Sequence, residues 1–518
     1  PDPTAGDLQA GYIVPRGTRM ASRLGPKMQT RCIFTTAHDV TLWPLQIEGV
    51  RYLAGGRLAS LGLPPRREVR AALVVTLATT GGIPFQALRH PDKGPLDRLV
   101  LHLVAGSGQG FRLYETLLGH TVGIVARPPG QPVAWSHALG PDAIRRKGFA
   151  PEEALLPRPA EAYDGYRILR EHFTLPERFL FVELTGLGPA AQRHAGEKLE
   201  LVVLLDQADA ELEGGLTAGD LALFVTPAVN LFEKTCEPVL LDPTRRDFEV
   251  VVDRLRPLDH EVHSLVEVVG EGGGPPQSFL PFYALADPLE AGGAGAYYTL
   301  ERRARLPSEA DLRRGQSRSS YLGGEVFLSV VDGAAAPWRD GLKRLQIRAL
   351  CTNRDLPLFM TLLPGESHFG LESGAPVAAV RCLGEPTTPR PSLAQGEPAK
   401  SRPGRPHGET AWRLVSHLAL NYLSLTGDDT DEGAATLREL LALYADFAEP
   451  AVARQVEGVR RVASRPVVDR LPGGGPITFG RGLEIELTLE ERPLERGVAF
   501  LLGAVFGKFF RGNSEINT

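Results

Sequence analysis

The sequence predicts an α+β, β-rich, multi-domain protein: sandwich-like β domains followed by a compact C-terminal α+β domain. Three observations predict it. At 518 residues the chain is too long for a single hydrophobic core. Its 57 glycines and 43 prolines exceed ordinary usage, which implies many turns and short strands. β-Branched and aromatic runs bounded by turn residues recur roughly every ten to twenty residues before the pattern turns helical near the C-terminus.

In chain order, residues 1–226 predict a first β-rich domain with short helices. CIFTT at 32–36, VTLWPL at 40–45, and the runs at 69–78, 96–104 and 122–126 read as strands, and 111–118 as a short helix. In YDGYRILREHF at 163–173, Tyr166, Leu169 and Phe173 share one helical face, and Pro176 ends the helix. The near-continuous apolar runs at 179–184 and 199–205 predict strands buried on both faces. Residues 227–383 predict a second β-rich domain, with strands at 248–252, 261–269, 325–331 and 345–350 and glycine-rich loops at 271–277 and 291–296. Residues 384–408 carry six prolines and few large apolar groups, the composition of an extended connector. Residues 409–518 predict the α+β domain. Within it, 412–425 reads as a buried helix and Leu437, Leu440, Leu441, Tyr444 and Phe447 mark an amphipathic one. Strands at 459–471 and 477–489 and a final helix at 498–510 follow.

The stretch at 224–241, FVTPAVNLFEKTCEPVLL, joins the two β-rich halves. Pro227 and Pro238 exclude a helix. Asn230 precedes Leu231 and Phe232, which predicts an extended crossing segment pinned into a core, with the amide satisfying backbone groups.

A net charge of −5 and low aromatic content argue against nucleic acid as a partner. Cys32, Cys236, Cys351 and Cys382 are widely spaced, so neither a zinc ribbon nor a disulfide framework is indicated, and a cytoplasmic location is expected. The longest apolar run, 498–507, is about half the length of a membrane span. The chain opens at Pro1 without a methionine, which leaves targeting open.

Candidate chemistry is sparse. DHEVH at 259–263 is not HExxH, and in a strand His260 and His263 face opposite ways, so a solvated strand edge is the stronger reading than a metal site. DDTDEGAATLRE at 428–439 departs from a calcium loop at Thr430, Glu432 and Ala435, and its acidic run suits a helix N-terminus. GSGQG at 106–110 lacks a phosphate-loop lysine and reads as a tight turn. There is no GxSxG elbow, and His172 and His417 sit in helical apolar patterns. Arg302-Arg303 and Arg313-Arg314, near Tyr297-Tyr298, suit a salt-bridged loop and a protein interface equally. No cofactor, metal or catalytic residue is expected. A β-rich hydrolase and a surface binding module are the alternatives.

The same segments resemble one family along nearly the whole chain, the type VI secretion baseplate subunit TssF (VasA/ImpG). The resemblance rests on RGT at 16–18, CIFTT and LWPL, YRILREHFTLPERFLFVELTGL at 166–187, and PAVNLFEKTCEPVLLD at 227–242. It continues in EVHSLVEVVG at 261–270, CTNRDLP at 351–357, residues 412–425, and FGRGLEIELTLE at 479–490. Two differences accompany it. The family carries further, largely helical N-terminal residues, and residues 511–518 keep only Ile516 and Asn517 of its phenylalanine-rich close. The resemblance implies a non-enzymatic wedge subunit similar to a phage baseplate protein. Two copies would clasp one TssG, with TssK, TssE and the VgrG hub as further partners and no small-molecule substrate or direct membrane insertion. The baseplate would dock at the inner face of the cytoplasmic membrane. Structural or interface roles are expected for Trp43, Pro44, Tyr166, Phe173, Asn230, Leu231, Phe232, Asn353, Arg354, Trp412, Asn421 and Phe509.

Overall fold

The computed structural model describes residues 1–514 apart from 3, 5, 27, 65, 105–107, 159–163, 283–294, 306–317, 333–337, 339, 393–429, 446–447, 471–478 and 493. The expected helix at 412–425, with Trp412 and Asn421, lies outside the described residues. So do Phe447, Arg313-Arg314 and most of the proline-rich connector.

Two large cores organise the rest. The first is built on a five-stranded antiparallel sheet in the order His137–Leu139, Thr121–Arg127, Lys198–Leu205, Ala71–Thr79, Leu45–Ala54. A four-stranded sheet accompanies it, ordered Ile144–Lys147, Phe181–Leu184, Leu99–Leu103, Leu221–Leu223. The Ala71–Thr79 strand shows why its sequence lacks alternation. Leu73, Val75 and Leu77 face the main core, while Ala72 and Val74 face a smaller cluster with Leu61, Val125 and Val202. Both faces are covered, so apolar side chains are favoured at successive positions.

Leu45–Ala54 is a ten-residue strand in which Leu45 and Ile47 alternate with Gln46 and Glu48 until Gly49 breaks the phase. Its pairing with Ala71–Thr79 shifts register between Ile47 and Gly49, a bulge that resets which side chains face inward.

The described C-terminal elements complete this same core. The helices Thr430–Ala445 and Val498–Ser514 bury Leu437, Leu440, Leu441, Leu501, Leu502, Val505, Phe506 and Phe509 together with residues of the first sheets. Gly497 (φ +88°) opens the last helix so close to Phe111 that an added Cβ would lie 2.1 Å from the Phe111 carbonyl oxygen. No other residue type fits that approach. The apolar run at 498–507 is therefore core helix. Among the described residues no helix is long and apolar enough to cross a membrane. The strands Val459–Arg470 and Phe479–Leu489 form a separate antiparallel ribbon.

The second core belongs to a sheet running Phe232–Thr235, Arg344–Thr352, Glu261–Glu271, Gln277–Pro281, Ala296–Ala304, Gly324–Asp332, Phe248–Glu249. Val262, Val268, Val326, Leu328, Leu345, Ile347, Ala349 and Cys351 fill its inner face. Ala296–Ala304 is a full strand where the sequence suggests only a glycine-rich loop ending at 296, and Phe248–Glu249 is shorter than the expected 248–252.

Candidate functional site

The crossing segment is the joint between the two cores. Leu221 is the last fully buried first-core residue before it, Leu223 and Phe224 still pack on that core, and Phe232 is the segment's first buried residue in the second. Ala228–Val229 pairs with Ile33–Thr36, and three residues later Phe232–Thr235 pairs with Arg344–Thr352. One short stretch is thus hydrogen-bonded to two different sheets.

Asn230 closes the gap between them. Its Nδ2 donates to the Ile33 carbonyl at 2.8 Å and to Asn353 Oδ1 at 2.9 Å, while its Oδ1 accepts from the Asn353 backbone N–H at 2.6 Å. Asn353 Oδ1 also accepts from the Ile33 N–H at 2.9 Å, and Asn353 Nδ2 donates to the Asp259 carbonyl at 3.3 Å. Asn353 is wholly buried, so each bond satisfies a group that has no access to water. Arg354 follows at φ 54°, a left-handed conformation for a long side chain. Its guanidinium donates to the Leu258 and Leu322 carbonyls and lies 4.0 Å from the Glu261 carboxylate. Arg318 donates to Asp259 and Asp355, each at 2.6 Å. Burial opposes ionisation of Asp355, but hydrogen bonds from Arg318 and Ser319 outweigh it and hold the carboxyl below its usual range.

The other expected residues are also internal. Trp43 is buried with its ring against Gly11, where an added Cβ would come within 2.8 Å. Pro44 is buried and its carbonyl accepts from Thr80 N at 2.8 Å. Leu231 and Phe232 are 6% and 4% exposed, so both are packing residues rather than free surface. On the helix Asp164–Thr174, half-buried Tyr166 lies 6.0 Å from Phe509, and Phe173 stacks on Tyr444 at 6.4 Å. That helix therefore carries the C-terminal block.

Its polar face is equally engaged. Glu171 is buried and accepts from Arg167 at 2.9 Å, from Arg178, and from the Leu155 and Leu156 N–H groups at 3.0 and 2.9 Å. His172 is fully buried, with Nε2 2.7 Å from Gln455 Oε1, and burial lowers its pKa to about 4, so the ring is neutral and donates. The sequence signal for these residues was a helical face with charges inside it. Their partners, more than a hundred residues away for Gln455, were not visible.

The structure also places the remaining motifs. His260 is buried beside Phe232, whereas His263 is exposed, and among the described residues no three His, Cys, Asp or Glu side chains converge as a metal set. The chain is helical from Thr430, which leaves no calcium-loop geometry there. Gly108 is a left-handed cap before the helix Gln109–Gly119. Arg302 donates to the Val262 and His263 carbonyls, and Arg303 donates to Asp247 and Glu301 while stacking 4.0 Å from the Phe327 ring. Arg302 is thus tied to the sheet backbone, and Arg303, still 41% exposed, to two carboxylates.

One cleft of about 630 Å³ opens where the first part of the chain covers the four-stranded sheet. His38, Asp39, Trp43, Lys93, Arg98 and Glu183 are among its walls. Burial lowers the His38 pKa to about 3, so that ring is neutral, and among the described residues no nucleophile is hydrogen-bonded to it.

The fold and this joint define a class, a β-rich multi-domain protein whose crossing segment runs from the first core into the second and pairs with two different sheets. The family model described as "Type VI secretion system, TssF" matches residues 1–518, and the chain belongs to that family. It is 46% identical to the type VI secretion system component TssF1 of Pseudomonas aeruginosa over 520 residues, covering all of this chain and 80% of that protein. It shares its fold with a chain in the cryo-electron microscopy structure of a type VI secretion TssK-TssF-TssG baseplate subcomplex. That match has a TM-score of 0.70 at 23% identity and covers 97% of this chain and 83% of that one.

Proposed function

We propose that this chain is a structural subunit of a type VI secretion baseplate wedge, assembling with TssG and TssK, and with TssE around the VgrG hub, to support sheath and tube assembly. Two copies would engage each TssG, and the assembly would work at the inner face of the cytoplasmic membrane without inserting into it. The observation that carries this reading is the family match along all of residues 1–518. The naming of TssK and TssG beside the similar solved chain supports the choice of first partners. A scaffold role also suits a chain whose sequence-marked polar residues, Asn230, Asn353 and Arg354, are engaged in internal contacts rather than converging on a substrate. Deleting the chain in its host and imaging a fluorescent sheath subunit tests the reading. Loss of sheath assembly, restored by the intact gene, is expected. Normal sheaths without the chain would refute it.

A further inference from the structure

Four loops meet at the end of the second sheet where Glu261–Glu271 and Gly324–Asp332 begin and Arg344–Thr352 ends. They span residues 23–32, 253–260, 318–323 and 353–366. Arginines lock them to one another. Arg256 donates to the Gln29 carbonyl and to the Thr30 hydroxyl, which itself donates to Asp259 at 2.6 Å. Arg318 ties Asp259 to Asp355, and Arg354 ties the Leu258 carbonyl to that of Leu322. Gly25 approaches the last loop so closely that an added Cβ would lie 3.0 Å from the Phe359 carbonyl oxygen.

These locked loops expose Leu24, Leu255, Leu258, Leu322, Leu358 and Leu363. None of the six packs on either large core. Leu255 is 93% exposed although its N–H is held by Asp253 at 3.0 Å, so the side chain stands out from an ordered turn. Single exposed leucines are ordinary, but several gathered on mutually fixed loops form the kind of apolar surface that binds another protein.

The charge at this end is unbalanced. The described residues of the four loops include six arginines against Asp253, Asp259, Asp355 and Glu366. Every one of those acids is engaged. Asp253 accepts from the Leu255 and Arg256 N–H groups and lies 3.5 Å from Lys234, Asp259 and Asp355 pair with Arg318, and Glu366 pairs with Arg23 at 3.0 Å. Glu261, on the adjoining strand, accepts from the Tyr321 hydroxyl at 2.8 Å and lies beside Arg354. Arg254 borders a small cleft that Glu237 and Glu249 also line. Arg31 and Arg256 remain as exposed cations with no ion pair among the described residues, and Arg256 adjoins Leu255 in the chain.

We propose that these loop tips are a docking surface for a partner-subunit segment that combines apolar side chains with carboxylates. The leucines seat the apolar groups, and Arg31 and Arg256 receive the acids. The arginine locks hold the surface in shape before the partner arrives, which lowers the ordering cost of binding. Asn353, which bonds to Asp259 here and to Asn230 in the crossing segment, links this surface to the joint between the cores. The inference rests on the reading of the chain as an assembly subunit, but it concerns one surface of it.

Biolayer interferometry of the full-length chain against the cognate TssG–TssK complex tests it. Leu255→Asp should weaken binding roughly tenfold, because a leucine buried at the contact is replaced by a charge, and should leave the unfolding temperature unchanged. R31E/R256E should weaken binding roughly tenfold through loss of two charge-assisted contacts. If R31E/R256E does not fold, weaker binding of the native chain at high salt replaces it as the readout. Native affinity in Leu255→Asp overturns the proposal. Weakened binding in Leu255→Asp that is indifferent to the arginines and to salt overturns the acidic character of the partner. Native chain that binds phosphatidylglycerol vesicles through Leu255, while Leu255→Asp still binds the complex normally, gives the surface to a membrane and overturns the partner assignment. A native chain that ignores the complex altogether would count against the subunit reading as well, whereas native binding untouched by the substitutions sinks this proposal alone.

Discussion

Asn230 and Asn353 hydrogen-bond to each other twice, side chain to side chain at 2.9 Å and backbone N–H to side-chain oxygen at 2.6 Å, and both also bond to the backbone of Ile33. Three distant stretches of chain meet in that knot: the strand Ile33–Thr36, the crossing segment, and the turn after Arg344–Thr352. Removing one member leaves buried donors and acceptors without partners. Asn353→Ala is expected to destabilise the second β unit by about 1–3 kcal/mol, read as a lower unfolding temperature and faster amide exchange across Arg344–Thr352. Unchanged exchange there would show that the knot does not hold the joint.

Phe232 anchors the same segment into the second core at 4% exposure. Phe232→Ala opens a cavity among Val262, Ala349 and Cys351 and is expected to cost about 3–5 kcal/mol. Denaturant titration of the variant measures it. Weaker assembly should follow indirectly, through the loosened packing of the crossing segment on the second core.

The sequence of the joint was legible because its determinants are local. Pro227, Pro238 and the apolar pair after Asn230 lie within a dozen residues or so of each other, and backbone chemistry alone forces an extended crossing. What the amide of Asn230 bonds to was not legible, since Ile33 and Asn353 are 197 and 123 residues away. The same limit hides the attachment of the last helix to the first core. Gly497 reads as an ordinary loop glycine until Phe111 is found against it. The cleft was invisible for the same reason, because its walls come from residues 38–43, 90–100, 147, 183 and 224–225. Arg302 and Arg303 suited interface and salt-bridge roles equally from composition. Their carbonyl and carboxylate partners distinguish the two only once the sheet is formed.

Glu171 is the only carboxylate bonded to both Arg167 and Arg178 among the described contacts, and all three side chains are buried. Arg167 keeps Asp164, at 2.7 Å, but Glu171→Ala leaves buried Arg178 without its ion-pair partner and is expected to destabilise the first core by about 3–5 kcal/mol. A double variant with Arg178→Met should recover part of that loss. Additive losses in the thermal unfolding of the single and double variants would contradict the coupling.

His172 gives the fold a pH dependence. In the unfolded chain the ring titrates near about pH 6.5, whereas burial lowers its folded pKa to about 4. As pH falls, the unfolded state binds the proton first. The contribution of this residue is therefore complete above about pH 6.5 and is lost progressively toward about pH 4. His172→Gln should flatten the fall of the unfolding temperature across that window. An identical slope in both proteins would mean that the ring is solvated in the folded state.

The central claim, that the chain is a baseplate scaffold built to hold partners at a fixed geometry, is tested most directly by the mass of the reconstituted complex. The full-length chain co-expressed with its cognate TssG and TssK should elute as one species whose light-scattering mass contains two copies of the chain for each TssG. A chain that elutes alone in the presence of both partners would contradict the account.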